Sequence, residues 1–156
     1  MDAFYRCNSA GTTDEELPAS ASKWARVIID EDDPMDEAMA DYIDSEEYLT
    51  TRNALNWRIG VFRRNLTSAA QQEAFVRIID RYTNAYAKCA IEAFDSKRKP
   101  TMDAATTLSL KQDAEAFSSE LTSIIQKSEF TRIIEQMILV GETYADKAYE
   151  ARQKYN

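Results

Sequence analysis

Three basic side chains, Arg77, Arg81 and Lys88, recur at spacings of four and seven, the intervals that place residues on one face of an α-helix. Asn84 falls beside them, and the same segment runs on to three successive cations, Lys97, Arg98 and Lys99, closed by Pro100. Guanidinium and ammonium groups gathered on one face can bind phosphate. They neutralise point charges without reading bases, and the attraction weakens with salt. The competing reading is a solvated helix face whose cations pair with nearby acids such as Asp80 and Glu92, and exposed pairs of that kind contribute little.

These cations stand out because the whole chain is acidic, with a formal net charge of −8 over 156 residues. Residues 1–51 hold 14 acids and 3 bases, residues 52–99 hold 4 acids and 10 bases, and residues 100–156 hold 9 acids and 6 bases. The total therefore hides a central block of net +6, to which Arg52, Arg63 and Arg64 also belong. A net negative chain can still hold a polyanion if its few cations line one track.

Other chemistries find little support. The sequence has no histidine, which removes the commonest general base, the commonest metal ligand and the usual partner of a Ser or Cys nucleophile. Three scattered glycines cannot form a phosphate-cradling loop. The run Asp30-Glu31-Asp32-Asp33 lacks the spaced ligands and turn glycine of an oxygen-ligand cation site, so it reads as a solvated acidic linker. Of two cysteines, Cys7 and Cys89, the second falls on an apolar stripe and reads as a small core residue in a reducing, intracellular setting. We expect no catalytic residues, no metal and no cofactor. The start MDAFYRC has no basic and apolar leader pattern, and no stretch approaches the ~20 apolar residues of a membrane span.

The elements that must position the cations are helices. With only three Gly and three Pro, the chain has too few turn residues for many hairpins. Residues 1–20 read as an irregular acidic arm, Ser22 to Ile29 as a short helix, and Asp33-Pro34 as the cap and first position of a second short helix through about Tyr42. Four longer segments follow. Apolar positions run Tyr48, Leu55, Ile59, Phe62, Leu66 after a Ser45 cap, then Phe75, Ile78, Ile79, Tyr82, Tyr86, Cys89, Ala93 after Thr67 or Ser68. Beyond Pro100 they run Leu110, Ala114, Phe117, Leu121, Ile124, and after Ser128 they run Phe130, Ile133, Met137, Val140, Tyr144, Ala148, Ala151, Tyr155. Steps of three, four and seven draw one apolar stripe per helix. The expectation is an all-α chain: an antiparallel four-helix bundle over residues 45–156, preceded by an acidic arm with short helices over residues 1–44.

Several pieces, in order, resemble the coat proteins of rod-shaped plant RNA viruses of the tobacco mosaic virus type. Lys23-Trp24-Ala25-Arg26 resembles the tryptophan segment ahead of their first bundle helix, and Phe75-Val76-Arg77-Ile78-Ile79-Asp80 an Arg-Phe-Pro-Asp element. Ala93-Phe94-Asp95-Ser96-Lys97-Arg98 is similar to the Ala-Phe-Asp-Thr-Arg segment ending their third helix. Lys111-Gln112-Asp113-Ala114 with Phe117 is similar to the start of their fourth, and Phe130-Thr131-Arg132 with Glu135 to a late aromatic-x-Arg…Glu element. The chain departs from the pattern in lacking the proline of the second element, in a shorter link after Asp95, and in a long final helix where the family has a loose tail. The resemblance implies self-assembly around single-stranded RNA, with Lys97 and Arg98 on phosphate and Asp113 near the RNA.

Two expectations follow. The first is a non-enzymatic structural protein that forms homo-oligomers and packages single-stranded RNA, found in a virion or in host cytoplasm. The second is a small acidic helical module, of inhibitor, immunity or adaptor type, that docks onto a basic protein partner.

Overall fold

A computed structural model describes residues 33–155, and these are all-α, with six helices and no strand among them. In chain order they are α1 (Pro34–Ala38), α2 (Ala40–Ile43), α3 (Glu46–Arg64), α4 (Ala69–Ser96), α5 (Ala104–Ser119) and α6 (Ile124–Lys154). The expected arm, the Ser22–Ile29 helix, Cys7 and most of the Asp30–Asp33 run lie outside the described residues.

Each long helix starts at a side chain that accepts a bond from an orphan backbone N–H. Ser45 caps Tyr48, Ser68 caps Gln71, Asp103 caps Thr106 and Ser123 caps Gln126. Asp33 caps the Met35 N–H, and Pro34 takes the first turn of α1, as the sequence suggests. The second short helix is broken at Met39 into α1 and α2.

One correction concerns the last connection. The sequence reading placed it at Ser128, with Ile124 on the preceding helix. The break instead lies between Ser119 and Ile124, so Ile124 opens α6 and is 83% exposed. The motif Ser123-x-x-Gln126 has the form of a capping box, and it wins over Ser128 because Leu121 buries in the link ahead of it.

The four long helices share one apolar core. Each donates a phenylalanine to a common layer: Phe62, Phe75, Phe117 and Phe130. Ring centroids are 4.8 Å apart for Phe62–Phe75 and Phe117–Phe130, and 6.1 Å for the Phe75–Phe130 diagonal. Tilted pairs of this kind contribute about 0.5–1.5 kcal/mol each beyond area burial.

The contacts fix the directions. Asn65 meets Gln126, Arg58 meets Gln136 and Tyr48 meets Tyr144, so α3 and α6 are antiparallel. Phe75 meets Phe117, Tyr82 meets Leu110 and Cys89 meets Thr101, so α4 and α5 are antiparallel. In contrast, Phe75 meets Phe130, Tyr86 meets Gly141 and Phe94 meets Tyr155, so α4 and α6 run parallel. This parallel diagonal is also the most extensive helix pairing. Small buried residues let it close: Ala87 and Ala90 on α4, Gly141, Ala145 and Ala148 on α6. The short helices add Met35, Met39 and Ile43 to the same core.

Candidate nucleic-acid interface

Arg77, Arg81 and Lys88 lie exposed on α4 as their spacing requires, and 11 residues of helix separate the first from the last by ~16 Å. The structure does not leave them equally available. Arg81 pairs with Asp113 on α5, and its Nη2 also donates to Ser109 Oγ at 3.0 Å. Helical spacing puts Arg81 on the phosphate-binding face and the resemblance puts Asp113 near RNA, whereas the fold turns the two side chains toward each other. Lys88 faces the head of α5, where its charge helps hold the Asp103 carboxyl below its ordinary value, behind the larger effect of hydrogen bonds from Thr106.

Other members of the basic block are absorbed by the fold. Arg52 is only 1% exposed and lies in the interior of the bundle, so it is not part of any surface. Arg58 pairs with Glu129 at 3.3 Å and donates to Gln136 at 3.0 Å, tying α3 to α6. Arg63 is half-buried. Within the basic block of residues 52–99, the exposed cations without an ion pair to another described residue are therefore Arg64, Arg77, Lys88, Lys97, Arg98 and Lys99.

Lys97, Arg98 and Lys99 form the exposed link between α4 and α5. α4 ends because Lys97 takes a left-handed conformation, φ 57° and ψ 30°, a geometry that glycine adopts more cheaply. Ser96 Oγ donates back to the Glu92 carbonyl at 2.6 Å. A cavity of about 170 Å³ lies at the link, lined by Cys89, Glu92, Ser96, Arg98, Lys99 and Thr101.

The reactive side chains nearby are held in their protonated forms. Burial, then the negative charges of Glu92 and Asp103, push the Cys89 thiol up, and its Sγ donates to the Thr101 carbonyl at 3.5 Å. Burial raises the Tyr86 phenol to about 12, with Glu142 adding to it, and raises Tyr82 as well. No group of three or more His, Cys, Asp or Glu side chains among the described residues could hold a metal ion. Among them, too, no helix is long and apolar enough to cross a membrane.

The sequence reading missed a second feature. α5 leans on α4 and meets α6 only sparsely. An apolar groove of about 370 Å³ stays open between them, floored by Tyr82, Tyr86 and Phe130 and walled by Ala114, Ile134 and Ile138. The pairs Ile133-Ile134 and Met137-Ile138 carried the signal, since they widen the apolar sector of α6 beyond a single stripe.

No family model matches the chain, and neither a curated protein nor a solved structure matches it.

Proposed function

We propose that the chain is a non-enzymatic structural protein that self-associates and packages single-stranded RNA, with the link Lys97–Lys99 holding phosphates. The observation that carries this reading is the link itself: three successive exposed cations, with no ion pair to a described acid. Phosphate contacts position a backbone without reading sequence, which suits a packaging role. Exposed Trp57, Leu139, Ile124 and Ile125 supply apolar surface for contacts between copies.

The test is the pair Lys97→Glu with Arg98→Glu, which touches no core residue. Retention of single-stranded RNA is expected to be lost, with helicity unchanged. Each phosphate contact removed should flatten the slope of log K against log[salt] by about 0.7. Negative-stain images of the unmodified protein with RNA should show rods or discs. A monomer at every pH and salt concentration, carrying no RNA through purification, would overturn the reading.

A different observation favours the second reading, an acidic module that docks onto a basic protein partner. Glu37, Asp41, Asp44, Glu46 and Glu47 are all exposed from α1 to the first turn of α3. Under that reading the double reversal at Lys97 and Arg98 leaves partner capture unchanged, and reversal at Glu46 and Glu47 removes it.

A further inference from the structure

The cavity at the link has a larger neighbour. A space of about 430 Å³ shares Cys89, Pro100 and Thr101 with it and is lined from α4, α5 and α6 as well. That volume falls in the ~300–1,000 Å³ range of sites for small organic groups. The two spaces differ in chemistry. The smaller is lined by Arg98 and Lys99, with Glu92 as its one acid, so its charge stays net positive. The larger has the apolar bodies of Tyr86 and Met102 and the carboxylates of Glu142 and Asp146.

Cations for a phosphate, beside an aromatic ring and hydrogen-bonding groups for a base edge, are what an unpaired nucleotide requires. We propose that the larger cavity takes the base of a nucleotide whose phosphate sits on Arg98 and Lys99, and that it takes cytosine in preference to uracil. The inference rests on the proposed binding of single-stranded RNA for its ligand, and adds to it a selectivity that phosphate contacts alone do not supply.

Three observations carry it. The first is continuity: because Cys89, Pro100 and Thr101 border both spaces, a phosphate in one and its own base in the other need no gap between them. The second is a fixed platform. Tyr86 is half-buried, and the backbone of α6 at Gly141 lies against its ring, so the ring is held before any base arrives. Burial, with the charge of Glu142 behind it, pushes its phenol up to about 12, and the hydroxyl keeps its proton at neutral pH. The third is the character of the polar wall. Glu142 and Asp146 stand four apart on α6, both exposed and without an ion pair to another described residue. Ionised carboxylates only accept hydrogen bonds. Cytosine presents an N4 amine that donates to them, and uracil presents an O4 acceptor that they repel.

The experiment titrates the full-length protein into fluorescein-labelled pentanucleotides of cytidine and of uridine at low salt, with anisotropy giving Kd. The cytidine strand should bind about five- to tenfold tighter. Glu142→Gln with Asp146→Asn should bring the ratio to within about twofold of one, since an amide both accepts from cytosine and donates to uracil. Far-UV helicity should not change, because both residues are exposed. Glu135→Gln, at an exposed acid of α6 outside this cavity, should keep the parent ratio. Lys97→Glu with Arg98→Glu should abolish binding of both strands. Equal affinity of the parent for the two strands, or a ratio that survives the Gln and Asn replacements, overturns the base pocket and leaves RNA binding standing. Binding of neither strand overturns both. Cytidine monophosphate that binds as tightly as the cytidine strand keeps the pocket but makes the free nucleotide its ligand, and the packaging reading then falls.

Discussion

Against α4, α6 lies so close that a Cβ on Gly141 would come within 2.5 Å of Tyr86 Cγ. Against α5, the same helix leaves about 370 Å³ open beside Ile134 and Ile138. The difference follows from side-chain size and chain length. On the α4 flank, alanines and a glycine let two long helices approach along their whole common length. On the α5 flank a helix of 16 residues, held to α4 by Arg81–Asp113 and Tyr82–Leu110, reaches α6 mainly through Phe117–Phe130. One flank of α6 is closed by packing, and the other leaves an open apolar groove.

Substitutions should separate the two flanks. Phe130→Ala removes the ring that touches Phe62, Phe75 and Phe117, and should cost about 3–5 kcal/mol in urea unfolding. A cost under about 1 kcal/mol would mean that the phenylalanine layer is not the hub of the core. Gly141→Ala should cost about 1–3 kcal/mol by overpacking the α4–α6 seam, because the near atoms are Tyr86 Cβ and Cγ and not the far end of a flexible chain. A neutral result would show that the seam can open, and the contrast with the α5 flank would fail.

On the loose flank effects should be smaller. Arg81 and Asp113 are each more than a third exposed, so Arg81→Ala should cost no more than about 0.5 kcal/mol after solvent screening. The smallest effect concerns Asp103, whose carboxyl is lowered by the Thr106 hydrogen bonds. A depressed carboxylate stabilises the fold above its unfolded value and loses that contribution as pH falls through the folded one. The stability difference between the parent and Asp103→Ala should therefore be constant at neutral pH and shrink below about 3.8, as followed by thermal melts at several pH values. No shrinkage would detach the cap of α5 from its charge.

The helices were legible in the sequence because each carries one apolar stripe and a polar cap. Nearly every stripe residue from Tyr48 to Ala148 is buried, and Ser45, Ser68 and Asp33 cap as read. The last break was missed because Ser123 and Ser128 are both acceptable caps, and periodicity alone does not choose between them. Arg52 belongs to the basic block in sequence yet is buried, because spacing does not tell a solvated arginine from one folded into the interior. The pairing of Arg81 with Asp113 joins residues on different helices, and single-chain spacing gives no register between helices. The groove was invisible for the same reason: it is a property of how far α5 stands from α6.

The parallel seam between α4 and α6 also has a consequence in time. Phe75 meets Phe130 and Tyr86 meets Gly141, each pair 55 positions apart, so the main seam is non-local although every element is a local helix. Ribosomes add about 5–20 residues per second, and α4 must therefore wait roughly 3–11 s after its own synthesis for the helix that covers it. During that interval its apolar face has only α3 and the unfinished α5 for company. The 31 residues of α6 thus complete this core, and a chain cut short near Gly141 should be captured by chaperones or aggregate.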